Sequence, residues 1–362
     1  MPNPNIPKIA VMPSAGQTKL GSEDGPASQA ARFSFSSAAW LLLGMIALNF
    51  LEFRAVALIQ GVHIKDQMSA AQGVLAGHPP WRLYQSRLLG PMLAGGLAHV
   101  THHPFASAYN VVTRSLLLLA NAVCYGMFYF LGRNRRLAWG YTLAYAGLFV
   151  VLQDTKWLYL WDYVDLVTLL CFAYLVFTRT NLVLLSALFL VELLNREAAT
   201  FIGLWIMMQA VRIPARDGVK RLTFSPVPLL VGGGLIAGGV LWTHWIRNRL
   251  FIAQTQHARE IYVLGDQLWK APSNLAALFH PFAAGTLVAL IGVSVLVALL
   301  AQPGALPGEK KVKVAVLLAV MLVSVFLFAL ISETRVWFEF VPFGLFLFYH
   351  AGKQRSGPPR QG

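Results

Sequence analysis

From about residue 38 onward, long apolar runs alternate with short polar ones. The runs fall at Ala38–Phe53, Leu88–Val100, Ala106–Leu131, Leu137–Leu152, Leu166–Phe177, Leu182–Leu194, Ala198–Val211, Pro228–Ile246, Ala283–Ala301, Val314–Ile331 and Val336–Tyr349. Several approach the roughly 20 residues that a helix needs to cross a bilayer. Their Leu, Ala, Val and Phe content lacks the period-two alternation of barrel strands. In hydrocarbon each backbone N–H and C=O must be paired within its own segment, so the pattern predicts helices. The expected fold is all-α: a polytopic transmembrane helical bundle of about ten membrane helices or half-helices, some too short for a full crossing.

Composition sharpens this picture. The chain is 57% hydrophobic and 12% charged, with mean hydropathy +0.59. A soluble domain carries about twice that charged fraction, so these residues could not cover a surface facing water but could face lipid. Cys124 and Cys171 each lie inside an apolar run and read as small buried residues, not as a disulfide or metal framework.

The net charge of +14 is concentrated in clusters. They are Arg133, Arg135 and Arg136; Arg212, Arg216, Lys220 and Arg221; Lys310, Lys311 and Lys313; and Lys353 with Arg355. Basic loops mark the cytoplasmic side of a membrane protein, and no nucleic-acid motif accompanies them. On that reading residues 1–34, rich in Pro, Gly, Ser, Ala, Gln and Lys, form a disordered cytoplasmic tail. The membrane domain spans 35–352, and 353–362 form a cytoplasmic C-terminal tail. The outer loops are then 54–87, 153–165, 195–197, 247–282 and 332–335. Parity is kept if Leu88–Val100 is a half-helix that returns to its own side, or if one further segment crosses; otherwise the Arg133–Arg136 cluster breaks the rule.

Most acids, and several arginines, map to those outer loops: Asp66, Asp154, Asp162, Asp165, Glu197, Glu260, Asp266 and Glu333, with Arg82, Arg87, Lys156, Arg196, Arg259 and Arg335. Ionisable groups in or near hydrocarbon are costly and are candidates for function. Asp162 and Asp165 are three apart and would share a helical face; they could hold a divalent cation through oxygen or cap a helix start. Arg196-Glu197, after Asn195, could serve a site or pin two short helices. Glu333-Thr334-Arg335 could belong to the same site or form a local salt bridge. The stretch from Asp66 through an Ala-rich segment, Gly77, Pro79-Pro80-Trp81, Tyr84 and Ser86-Arg87-Leu88-Leu89-Gly90-Pro91 places an acid, a short helix, aromatics and a cation between two apolar runs.

That stretch resembles the first outer loop of GT-C glycosyltransferases, with Trp81 where an aromatic is usual and Ser86–Pro91 where a Tyr-Pro-Pro run is commoner. Trp161–Phe201 resembles a bacterial branch of the same superfamily that carries an Asn-Arg-Glu-Thr-like motif; Ala198 stands in the Thr position. The resemblance implies a sugar donor on a polyprenyl phosphate, a multi-pass protein of the bacterial inner membrane in contact with membrane lipid, and an extracytoplasmic site. It implies Asp66 as the base, with Arg87, Arg196 and Arg335 holding phosphate. Glu197, Asp165, Asp162 and Glu333 would orient the sugar or a divalent cation. Arg suits the phosphate role through its fork of donors. The alternative is a transporter or flippase, for which broken helices and intramembrane Arg–Glu pairs are also typical. A non-enzymatic scaffold would leave no polar cavity joining these stretches.

Overall fold

The computed structural model describes residues 35–79, 82–153, 158–212, 223–251, 262–263, 267–280 and 284–355. The tails 1–34 and 356–362, and the candidates Asp154, Lys156, Arg259, Glu260 and Asp266, lie outside the described residues. The chain divides into two compact units, 1–43 and 44–362. Within the described residues the first contributes only the opening turns of the first helix, and the second carries everything that follows.

The protein is a helical membrane protein, 83% helical with thirteen α-helices among the described residues. Its helices are α1 Phe35–Gln60, α2 Ile64–Leu75, α3 Leu89–Thr101, α4 Phe105–Gly132, α5 Arg135–Val151, α6 Leu160–Phe177 and α7 Leu182–Leu193. They continue with α8 Ala199–Met208, α9 Pro226–Arg249, α10 Ala271–Leu278, α11 Ala284–Ala301, α12 Gly308–Phe328 and α13 Val341–Arg355. Two strand pairs of two residues each, Val211–Arg212 with Thr223–Phe224 and Tyr262–Val263 with Gln267–Leu268, qualify the all-α expectation. Five helices are long and apolar enough to span a membrane: α1 from Ala38, α4, α6, α9 and α12. Three more, α7, α8 and α11 from Gly285, are apolar but shorter.

Four expected boundaries move. α1 continues to Gln60, so the loop placed at 54–87 begins later. The helix continues because Glu52 is buried and paired: Asn121 Nδ2 on α4 donates to its Oε2 at 2.6 Å. α6 starts at Leu160, six residues before the expected edge, so Asp162 and Asp165 lie within its first turns. Residues expected to open the last helix, Val336–Phe340, form a 3-10 segment, Thr334–Phe340, and α13 runs on to Arg355 past the expected tail boundary at 353.

α6 is the centre of the bundle. Most of its residues are buried, and it packs against α3, α4, α7 and α13. A helix apolar on every face has no preferred solvent side and belongs inside. The peripheral α1 and α9 bury little and present Leu, Val and Trp outward, as lipid-facing helices do. Asn134 and Asn181 cap α5 and α7, each side-chain oxygen accepting two backbone N–H groups.

The contacts sort the helix ends into two groups. Lys310 Nζ donates to Thr178 O after α6, Lys313 Nζ reaches Gln209 after α8, and Gly132 at the end of α4 adjoins Tyr349 on α13. These basic-flanked ends share one side. At the other side lie the start of α6, the end of α5, the α7–α8 break, the end of α12 and the segment before α13. Gly90, on the first turn of α3, would place a Cβ 3.1 Å from Leu160, and Tyr109, in the second turn of α4, packs in one cluster with the same Leu160. Gly90 on α3 and Tyr109 on α4 therefore both lie against the start of α6.

Candidate functional site

A cavity of about 390 Å³ opens where the second group of ends meets. Its charged lining is Arg87, Asp162, Asp165, Arg196, Lys270, Glu333, Arg335 and Glu339. Five separate parts of the chain supply these groups.

Arg196 sits between α7 and α8, at a break held by Asn195. The Asn195 amide donates to Trp161 O at 3.0 Å and to Asp165 Oδ1, which ties the break to α6. Arg196 Nη1 then donates to Asp165 Oδ2 and lies 3.5 Å from Asp162 Oδ1 and 3.3 Å from Glu339 Oε1. Burial opposes the charge of this guanidinium, but Asp165, Glu339 and Asp162 together outweigh it and hold the proton more firmly than usual. Arg196 is thus the cation about which three carboxylates are arranged.

Asp162 serves two purposes. Its Oδ2 accepts the Tyr159 N–H at 2.7 Å, capping α6, and it also faces Arg335 Nη1 at 3.3 Å. The cap and the site are therefore not alternatives here. Arg335 in turn takes Glu333 Oε2 on its Nε at 3.0 Å. Its segment is anchored by Thr334 Oγ1, which donates to Leu152 O at the end of α5 at 2.7 Å, and by Trp337 Nε1, which donates to Ile331 O. Asn274 on α10 fixes the neighbouring wall: its amide donates to Phe326 O and Ala329 O, and its Oδ1 accepts from Ile331 N.

Arg87 differs from the other two arginines. It leans on the rings of Tyr84 and Trp161, each centroid 5.2 Å away. Among the described residues it has no carboxylate within ion-pair distance, and its Nε is buried without a hydrogen-bond partner. Burial, then Arg196, lower its affinity for the proton, with Glu197, Asp162 and Tyr84 opposing. Tyr84, Tyr159 and Trp161 stack in a cluster with centroids 4.6 to 5.0 Å apart, forming a rigid aromatic shelf beneath this guanidinium.

Glu197 lies beside the cavity, not in its lining. It accepts from Ser86 Oγ at 2.6 Å and from Arg247 Nη2 on α9 at 2.7 Å. Burial pushes its carboxyl up, but Arg247, Arg87 and the Ser86 hydroxyl more than reverse that and leave it below the ordinary range. Glu339 is the opposite case. Burial raises its carboxyl, Asp165 and Asp162 add to the rise, and Arg196 only partly offsets them.

The structure therefore brings Arg87, Arg196, Arg335, Asp162, Asp165 and Glu333 to one cavity and sets Glu197 at its edge. It does not bring Asp66. That residue sits in the first turn of α2 with its side chain 64% exposed, and its partner is His63 Nδ1 at 3.5 Å. Asp66 is therefore not among the residues that line this cavity. Two cavity residues escaped the sequence reading. They are Lys270 and Glu339, the latter in the 3-10 segment Thr334–Phe340, which has no periodic signature. Among the described residues no group of three His, Cys, Asp or Glu is placed to hold a metal ion. Asp162 and Asp165 face guanidinium groups instead. Comparison with protein-family models, curated proteins and solved structures yields no match.

Proposed function

We propose that the chain is a GT-C-like membrane glycosyltransferase that moves a sugar from a polyprenyl-phosphate donor to an extracytoplasmic acceptor. The observation that supports this most is the meeting of Arg87, Arg196 and Arg335 with four carboxylates in one cavity at the end of the bundle away from the basic clusters. On the positive-inside rule those clusters are cytoplasmic and the cavity is outside; the bacterial inner membrane is what the resemblance implies.

Arg87 is the primary phosphate receptor, because it is the cavity arginine whose charge the described carboxylates leave unclaimed; Arg335 completes the clamp. Glu339 replaces Asp66 as the base. A general base works best with its affinity for the proton near the ambient pH, and a buried carboxyl raised by its neighbours moves that way. The acceptor hydroxyl gives its proton to Glu339 as its oxygen attacks the anomeric carbon. The bond from that carbon to the phosphate oxygen breaks, and its electron pair leaves with the polyprenyl phosphate against Arg87 and Arg335. Asp162 and Glu333 orient Arg335, and Asp165 orients Arg196.

The break between α7 and α8 and the half-helix α3 favour a second reading, a transporter or flippase of a lipid-linked or small polar substrate. Purified chain in proteoliposomes with polyprenyl-phosphate hexoses separates the two. Release of free polyprenyl phosphate with a glycosylated acceptor, read by mass spectrometry, supports transfer. Movement of intact donor between leaflets without cleavage supports transport and overturns the enzyme reading.

A further inference from the structure

α1 buries little, and the described residues that it does bury are Met45, Glu52, Val56 and Gln60. Spacings of seven, four and four put them on one helical face. Half of that face is polar. Glu52 lies eight residues before Gln60, about 12 Å along the axis, and is 4% exposed. Its partner is Asn121, near the middle of α4 and 1% exposed, whose Nδ2 donates to Glu52 Oε2 at 2.6 Å. Both side chains are therefore well inside the span.

The surroundings supply no counter-charge. Among the described residues no Lys, Arg or His stands within ion-pair distance of the Glu52 carboxyl. Arg54 is exposed, and the Arg114 guanidinium on α4 lies over the Phe53 ring, 4.2 Å from its centroid. The titratable groups near Glu52 are the phenols of Tyr145 on α5 and Tyr163 on α6, with Cys124 one turn beyond Asn121 on α4. The Tyr145 hydroxyl is spent on Leu166 O at 2.7 Å. A bare carboxylate in hydrocarbon is expensive, and nothing here offsets it.

A second observation concerns the amide. Asn121 Oδ1 is buried and accepts no hydrogen bond. An orphaned acceptor costs the full desolvation of that group. One proton removes both costs. A neutral carboxylic acid is a donor as well as an acceptor, so it can pair reciprocally with a primary amide. The amide N–H donates to one oxygen of the acid, and the acid O–H donates to the amide oxygen.

We propose that Glu52 and Asn121 form a proton-binding site within the bilayer. A proton on Glu52 Oε1 makes the second bond of the pair, to Asn121 Oδ1, and docks α1 on α4. The site is separate from the charged cavity and does not depend on how that cavity is read. Asn49 Oδ1, one turn before Glu52, is also buried without a partner. A hard cation such as sodium takes oxygen ligands of this kind, and it is the rival occupant.

The test uses the full chain in proteoliposomes at neutral pH. The infrared difference between wild type and Glu52→Gln should contain the C=O stretch of a neutral carboxylic acid. A difference that contains only carboxylate bands overturns the proposal. Glu52→Gln keeps both bonds of the pair, so it should melt at or above the wild-type temperature. A clear drop would mean that the native bond needs the negative charge, and would also overturn it. Glu52→Leu should melt lower, and adding Asn121→Leu should recover part of that loss, because no polar group is then stranded. Strictly additive losses would count against the pairing. If sodium, exchanged for potassium at constant ionic strength, raises the melting temperature of wild type but not of Glu52→Gln, the occupant is the metal ion and the proton assignment falls.

Discussion

Arg196 and Glu339, far apart in the chain, face each other at the cavity with Nη1 3.3 Å from Oε1. Arg196 also holds Asp165 and Asp162, so Glu339 shares its cation with two other carboxylates. Under-neutralisation of this kind leaves a carboxyl readier to accept a proton than its neighbours.

Arg196→Gln should be the most destabilising substitution in the site. Removing one partner of a buried ionic cluster strands the others, at a cost of about 3–5 kcal/mol. Thermal unfolding in detergent checks this. Adding Asp165→Asn should recover part of the loss, because the two share one bond; strictly additive losses would show that they do not interact.

Glu197 and Glu339 should respond to pH in opposite ways. Glu197 binds its proton less tightly when folded than when unfolded. Its contribution to stability is therefore complete above the unfolded carboxylate value, about 4.3, and is lost as pH falls through its lower folded value. Glu197→Gln should flatten that acid limb in a melting series. Glu339 binds its proton more tightly when folded. As a base it must be ionised, so the transfer rate should fall with decreasing pH, with a midpoint above the ordinary carboxylate range. A midpoint at or below that range would remove Glu339 from the role.

Arg87→Lys should raise KM for a lipid-phosphate donor by about tenfold or more with little change in stability. Lysine keeps the charge but loses the planar stack on Tyr84 and Trp161 and the paired donors that fit a phosphate. Donor titration in proteoliposomes measures it. An unchanged KM would mean that the aromatic shelf holds Arg87 for structure alone.

Asp66→Asn should leave transfer and stability close to wild type, within about 0.5 kcal/mol for the latter, as surface substitutions usually do. A loss of transfer with normal insertion would restore Asp66 to the site.

Asp66 also shows where sequence legibility ended. The apolar runs announced the bundle, since hydrocarbon permits few alternatives. Charges at the edges of such runs, in or near hydrocarbon, are expensive, so Arg196, Arg335, Asp162 and Asp165 could be singled out on that ground. Which way a residue turns on an interfacial helix is not fixed by cost, and Asp66 faces outward. Glu52 was hidden for a related reason: its partner Asn121 lies far along the chain, and without that pairing the acid read as the end of a span. Glu339 needed the 3-10 geometry of Thr334–Phe340.

The most direct measurement of the central claim compares wild type with Glu339→Gln in proteoliposomes loaded with a polyprenyl-phosphate sugar and an acceptor. The account predicts that the variant folds, binds the donor as wild type does, and transfers sugar about 10²–10⁴-fold more slowly, the usual contribution of a general base. Transfer at the wild-type rate by Glu339→Gln, with the donor bound normally, would contradict it.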